Sequence, residues 1–308
     1  MDSVTTRARE LGGEVGTLRQ GAAAPLFING KSQALRDDLD AALAVMGRLR
    51  ETEQRLAWMD ERKPLLESLI VDAGAVVLRG FPIGASAAFD RLASLFPATE
   101  FDYSGGATPR GSVQGRVFEA TRAPPEMKIT LHQEMAYLPR YPLRLAFYCH
   151  KAPATGGETI IADMRAFDRR IDQSFRARVR DEGVLYTRNF RPPGTSTGNA
   201  IFDAVHRSWT DAFSTQDPRA AEAQCQAIGL ATEWCADGSL TTRYRGQGLL
   251  THPRTGQEIW FNQLAQQRFW SPKNLGAALS DEFKRLYKGK PKPYAACFGG
   301  GDEVEDEA

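Results

Sequence analysis

The hydrophobic positions change their period along the chain. Over roughly the first hundred residues they recur at helical spacing. Leu35, Leu39, Leu43 and Met46 fall on one stripe and predict a helix over residues 32–50. Pro64 suits a first helical turn, so a second helix is expected to start there. Its apolar face is Leu65, Leu66, Leu69 and Ile70, and Gly74 ends it. Residues 86–96 predict a third helix. A short apolar segment over 25–28 closes on the turn signal Asn29-Gly30, and residues 75–78 read as a buried strand running into Arg79-Gly80-Phe81-Pro82.

From Val113 onward the period shortens to that of strands. Strand-like runs occupy 117–120, 128–132, 143–150, 159–163, 184–189, 240–245, 249–252 and 258–262, separated by Gly/Pro turns. Helical patterns intrude at 166–179, 219–228 and 279–287. Many short strands with such turns predict a mainly β sandwich or barrel with helical decoration. The expected organisation is one domain over 1–308. Residues 1–100 form a helix-and-strand cover, and 101–308 form the β core, with an insertion near 191–230. There is no internal repeat and no long linker.

Composition narrows the function classes. Lys plus Arg is 39 and Asp plus Glu is 38, a net charge of +1. That balance lacks the basic excess of a dedicated nucleic-acid binder. With 42% hydrophobic residues the chain is ordinary for a folded protein. No apolar run approaches the roughly 20 residues of a membrane span, so neither nucleic acid nor membrane is expected as a partner. Cys149, Cys225, Cys235 and Cys297 form no C-x-x-C pair, and are expected as free thiols in a reducing compartment. Residues 1–13 are polar and carry both charges, unlike a secretory leader, so a cytoplasmic location is expected. The acidic run over 302–307 reads either as a solvated tail or as a chain stopping inside a domain.

The chemistry starts at His132. The chain has four histidines, and one stands in Leu131-His132-Gln133-Glu134. Alternate residues of a strand share a face, so His132 and Glu134 would hold neighbouring positions on one metal. A further His from another strand would complete a 2-His-1-carboxylate site with open positions, which suits non-haem Fe(II). Taken alone, His-x-Glu is a frequent chance pattern, equally read as a His and Glu paired or solvated at a strand end. Gln133, between them, would face the other side as a packing or hydrogen-bonding residue.

The surroundings add specificity. In order come Leu78-Arg79-Gly80-Phe81, Ser104-Gly105-Gly106, Thr108-Pro109-Arg110, His132-Gln133-Glu134-Met135-Ala136-Tyr137, Tyr141-Pro142, Phe147-Tyr148-Cys149, Gly156-Gly157-Glu158-Thr159 and Ala162-Asp163. His252-Pro253-Arg254-Thr255-Gly256 and Trp260-Phe261-Asn262 follow. Over about residues 70–300 this resembles the TauD/TfdA family of Fe(II)/2-oxoglutarate-dependent oxygenases. It is most similar to the SyrP-like and clavaminate-synthase-like branch that uses His-x-Glu.

The resemblance implies a double-stranded β-helix, or jelly roll. It implies His132 and Glu134 as iron ligands and Thr159 as a hydrogen-bonding partner of the 2-oxoglutarate carboxylate. A hydroxyl can donate such a bond, and Gly156-Gly157 permits close backbone approach, although alone the pair would be a plain turn. The family's third His and its 2-oxoglutarate-binding Arg follow the Trp-Phe-Asn strand. After His252 there is no His, and Arg254, Arg268 and Arg285 do not match that motif. The third ligand, the Arg and the C-terminal strands are therefore expected beyond residue 308.

The implied activity uses O₂ to hydroxylate an unactivated C–H bond of a small amino-acid-like substrate. That substrate would be free or presented by a carrier protein, in specialised metabolism. Halogenases of the superfamily keep the carboxylate position small, so Glu134 favours hydroxylation, desaturation or ring chemistry over chlorination. Arg110 and Arg122 either hold a substrate carboxylate bidentately or form structural ion pairs. Asn262 is expected to line the pocket, and 191–209 is a candidate lid. His150 is expected to cap or pack at the end of the 143–150 strand, His206 to lie at the surface or contact substrate, and His252 to lie in a turn. The alternatives are a jelly-roll protein using another metal and a non-catalytic one lacking the distal His and Arg.

Overall fold

A computed structural model of the chain describes residues 14–17, 26–29, 52–79, 85–97, 111–120, 129–152, 154–155, 159, 161–162, 164–268 and 270–302. Strand β1 (Glu14–Thr17) pairs antiparallel with β2 (Leu26–Asn29). The predicted helix over 32–50 lies outside the described residues. Helix α1 (Thr52–Ala73) leads to β3 (Val76–Arg79), which pairs parallel with β2. The helix expected to start at Pro64 thus begins a dozen residues earlier, with Pro64 exposed inside it. Residues 52–63 are mostly good helix formers without an apolar stripe, so periodicity misses them while propensity carries them. Gly74 ends α1 with φ +81°, its N–H donating to Ile70 O at 2.8 Å.

Helix α2 (Ser86–Ser94) is capped by a small hairpin, β4 (Ser112–Gln114) and β5 (Val117–Phe118). Asp90 of α2 accepts the Arg116 N–H at 2.9 Å. The next runs differ from expectation. Described residues within 128–132, 143–150 and 159–163 adopt no strand pairing. Alternate side chains stay outside: Ile129, Leu131, Leu143, Leu145, Phe147 and Ile161 are 45–70% exposed. Alternation sets which side chains share a face, but a strand exists only through its ladder partner.

The remaining elements follow closely. They are α3 (Met164–Asp168), α4 (Gln173–Glu182), β6 (Val184–Phe190), α5 (Ala200–Val205), α6 (Trp209–Phe213) and α7 (Pro218–Ala227). Then come β7 (Ala231–Trp234), β8 (Leu240–Gly246), β9 (Leu249–Thr251) and β10 (Glu258–Trp260). The chain continues with a 3₁₀ turn (Gln266–Arg268), α8 (Pro272–Leu275), α9 (Ala277–Leu286) and β11 (Tyr294–Phe298). The helix expected over 166–179 is split, because Asp172 accepts the Phe175 N–H at 2.9 Å and caps a new helix.

The main sheet is antiparallel in the order β11-β6-β8-β7. β6 alternates as predicted, with Val184, Tyr186, Arg188 and Phe190 all buried. β9 and β10 pair separately. Among the described residues the strands form sheets of two to four members and no closed barrel. The core under the main sheet gathers Val184, Tyr186, Phe190, Trp260 and Phe298 with Met135 and Tyr137. A second cluster joins Phe202, Leu275, Phe283 and Tyr287.

All four cysteines are free, as expected. Cys225 is buried, and that burial pushes its thiol up to about 12. Among the described residues no helix is long and apolar enough to cross a membrane.

Candidate metal centre

His132 and Glu134 come together, though not on a strand. Their segment enters a turn in which Ala136 N–H donates to Gln133 O at 3.3 Å and Met135 takes φ +58°. A positive φ at the third turn position is the type II signature, which a non-glycine residue adopts at some strain. Met135 is held there by burial, being 4% exposed. Tyr137 and Leu138 continue into the core behind it.

The pair's geometry suits a cation. His132 Nδ1 contacts Thr130 O at 2.8 Å. A carbonyl only accepts, so Nδ1 carries the proton, and in the neutral ring Nε2 presents its lone pair. That lone pair lies 3.5 Å from Glu134 Oε2. Two acceptors facing each other need a proton or a cation between them. Adjacent donors on one metal at bond lengths of about 2.1 Å sit ~3 Å apart, so little movement would let both bind one ion. Imidazole and carboxylate match the donor types of a facial iron site. The two residues therefore fit as part of such a centre. Among the described residues no group of three or more His, Cys, Asp or Glu side chains completes it.

Amide side chains tie this turn to the segment after β10. Asn262 N–H donates to Gln133 Oε1 at 3.0 Å, and Gln133 Nε2 donates to Trp260 O. Gln263 Nε2 donates to Gln133 O, and Gln266 Nε2 to Leu131 O. Gln263 N–H donates to the Tyr186 hydroxyl at 2.9 Å, linking the turn to β6. Nearby, Tyr141 packs on Phe261 with ring centroids 4.6 Å apart. The expectation of Gln133 as a hydrogen-bonding residue stands. The roles of Gln263, Gln266 and Tyr186 carried no sequence signal, because they depend on contacts more than 70 residues apart along the chain.

The other predicted site residues fare differently. Thr159 is exposed, while Gly156-Gly157-Glu158 lies outside the described residues, as do Arg110 and Arg122. Asn262, expected to line the pocket, is engaged within the fold. It is 4% exposed, its Nδ2 donates to Gly248 O at 3.0 Å and its Oδ1 accepts the Leu264 N–H at 3.2 Å. Its carboxamide is turned into the fold.

His252 lies in a turn, as expected, its Nδ1 accepting the N–H groups of Arg254 and Thr255 at 3.3 and 3.2 Å. His150 is exposed beside the Tyr148 ring. His206, expected at the surface, is half-buried on the Tyr287 hydroxyl. Its segment, the candidate lid, is knitted to itself. Asp203 accepts from Ser196 Oγ at 2.5 Å and Thr197 N at 2.7 Å, and pairs with Arg191 at 3.3 Å.

Sequence reading also missed Arg188. It is 5% exposed, with its guanidinium 4.8–5.5 Å from the ring centres of Tyr137, Phe190 and Tyr294. Stacking suits the planar, weakly hydrated guanidinium.

A histidine and a carboxylate two residues apart, facing each other at 3.5 Å, carry the donor types that a non-haem iron site uses. The family model described as "Taurine catabolism dioxygenase TauD, TfdA family" matches residues 51–308, and the chain belongs to this family of non-haem iron oxygenases. It is 33% identical to a clavaminate synthase-like protein of Arabidopsis thaliana over 240 residues, covering 76% of this chain and 70% of that one. It is 30% identical to the dapdiamide synthesis protein DdaC of Enterobacter agglomerans over 242 residues, covering 79% and 69% respectively.

Proposed function

We propose that the protein is an Fe(II)/2-oxoglutarate-dependent hydroxylase of a small amino-acid-like substrate, free or carrier-bound. The observation that carries this reading is the placement of His132 Nε2 3.5 Å from Glu134 Oε2, with the ring oriented by Thr130 O. In this reading both side chains hold iron, as the imidazole and the carboxylate of a facial site. The bound metal and 2-oxoglutarate supply the oxidising power for attack on a C–H bond.

The chain's own residues bind and orient. Thr130 fixes the His132 tautomer, so that Nε2 stays a ligand. Glu134 fills the carboxylate position and leaves no room there for a halide, which favours hydroxylation. Thr159 donates its hydroxyl to 2-oxoglutarate, and its exposure suits contact with a ligand. Arg110 and Arg122 hold a substrate carboxylate. The family model supports a jelly roll as the scaffold. A relative named for dapdiamide synthesis supports a role in specialised metabolism, and the cytoplasm is the proposed location.

The test is anaerobic titration of the purified protein with Fe(II) and 2-oxoglutarate, followed by succinate release in air. A weak visible charge-transfer band, lost in His132→Ala and Glu134→Ala, is expected. Metal binding without any effect of 2-oxoglutarate would move the assignment to another metalloenzyme. Binding of a test amino acid unaffected by loss of both Arg110 and Arg122 would remove their substrate role.

A further inference from the structure

We propose that Gln133 is the positioning residue for the His132–Glu134 pair, acting with Gln263 and Gln266 as an amide clasp. The inference rests on the reading of that pair as a metal site. The described residues around the pair form no strand ladder, so the precision a neighbouring strand would impart has to come from elsewhere.

The Gln133 side chain supplies it. Its Nε2 donates to Trp260 O while its Oε1 accepts the Asn262 N–H at 3.0 Å. In a parallel sheet the N–H and C=O of a single residue make this same pair of bonds, reaching the residues on either side of the one it faces. The carboxamide of Gln133 thus stands in for one residue of a parallel strand and straddles Phe261.

The other two glutamines grip the backbone of the ligand segment. Gln266 holds the carbonyl of Leu131, in the peptide entering His132. Gln263 holds the carbonyl of Gln133, in the peptide entering Glu134. Both ligand side chains therefore spring from peptide planes that are fixed from outside. Gln263 is itself buried, its N–H on Tyr186 and its Oε1 accepting Gln267 Nε2 at 3.2 Å. None of these amides titrates, so the clasp holds its geometry across pH.

The test compares Gln133→Leu and Gln266→Ala with the parent, all as full-length metal-free chains. Two quantities are read: Co(II) affinity by anaerobic calorimetry, and amide hydrogen exchange. Outer-sphere partners of metal ligands typically matter 10–100-fold in affinity. Gln133→Leu should weaken Co(II) binding by about that factor. It should also speed exchange at Ala136 and Leu138 at least about tenfold, with β6 and β8 amides unchanged. Should Gln133→Leu loosen β6 and β8 as well, Gln266→Ala at the rim decides, with a weaker loss of Co(II) affinity expected. Parent-like affinity in the deciding variant, or unchanged exchange in the turn, overturns the clasp alone. A parent that binds no divalent metal overturns the oxygenase reading and this role with it.

Discussion

His206 Nδ1 lies 2.7 Å from the Tyr287 hydroxyl, joining the C-terminal end of α5 to that of α9. Burial pushes His206 down to about 4; Arg191 adds to the effect and Asp203 opposes it. Burial also raises Tyr287, so the phenol donates and the neutral imidazole accepts. The unfolded chain returns His206 to about 6.5 and so binds its proton more readily than the folded one. This contribution to stability is complete above about pH 6.5 and is lost as pH falls toward about 4. Its size is on the order of 3 kcal/mol. Urea midpoints should fall across that window in the parent, and less steeply in His206→Gln. Equal slopes would remove His206 as the cause.

Met135 should reverse the usual ranking of alanine and glycine. Its side chain is 4% exposed in the core, and its φ of +58° is left-handed. Truncation to Ala should cost about 2–4 kcal/mol. Truncation to Gly loses the same contacts but relieves the left-handed backbone by about 1 kcal/mol. Met135→Gly should therefore unfold at a denaturant concentration no lower than Met135→Ala. A clearly more stable Ala variant would mean that the turn is not kept.

Sequence reading reached those parts of the fold that local pattern determines. β6, β8, α7 and α9 fall within a few residues of expectation because each carries its own period or cap, such as Asp217 and Pro218 opening α7. The strand runs around 129 and 145 failed because pairing is a tertiary property. The nearness of His132 and Glu134 was legible, but for a different reason. Strand alternation predicted it, whereas a turn with a left-handed Met135 produces it. The amide contacts of Gln133 join residues up to 130 apart in sequence, beyond any local pattern.

Glu67 gathers two guanidinium groups onto α1. It pairs with Arg254 at 2.7 Å and Arg144 at 3.2 Å, tying the helix to the His252 turn and to the segment after Tyr141. The hydrogen bond from Arg254 holds its carboxyl below the usual range despite partial burial, with the charges of Arg144 and Arg254 adding to it. Its contribution is present above the unfolded value of about 4.3 and fades as pH falls below it. Glu67→Gln should cost up to about 1 kcal/mol at low salt and less at high salt. Thermal unfolding at two ionic strengths checks this, and a salt-independent loss would point to packing instead.

Asn262 separates a structural amide from a ligand-binding one. Its Nδ2 and Oδ1 are both engaged, on Gly248 O and Leu264 N–H, and its own N–H holds Gln133. Gly248 is a constrained partner. Its φ is +75°, and an added Cβ would stand 2.5 Å from Val179 Cγ1, so only glycine fits there. Asn262→Ala leaves the Leu264 N–H without its acceptor, while Gly248 O keeps the Phe261 N–H at 3.0 Å, at a cost of about 1–3 kcal/mol. Asn262→Asp should cost more than Asn262→Ala at neutral pH, because a carboxylate would then face the carbonyl. The backbone N–H that holds Gln133 survives both changes, so 2-oxoglutarate affinity should move little while the unfolding midpoint drops. An unchanged midpoint with weakened binding of 2-oxoglutarate or substrate would return Asn262 to the pocket.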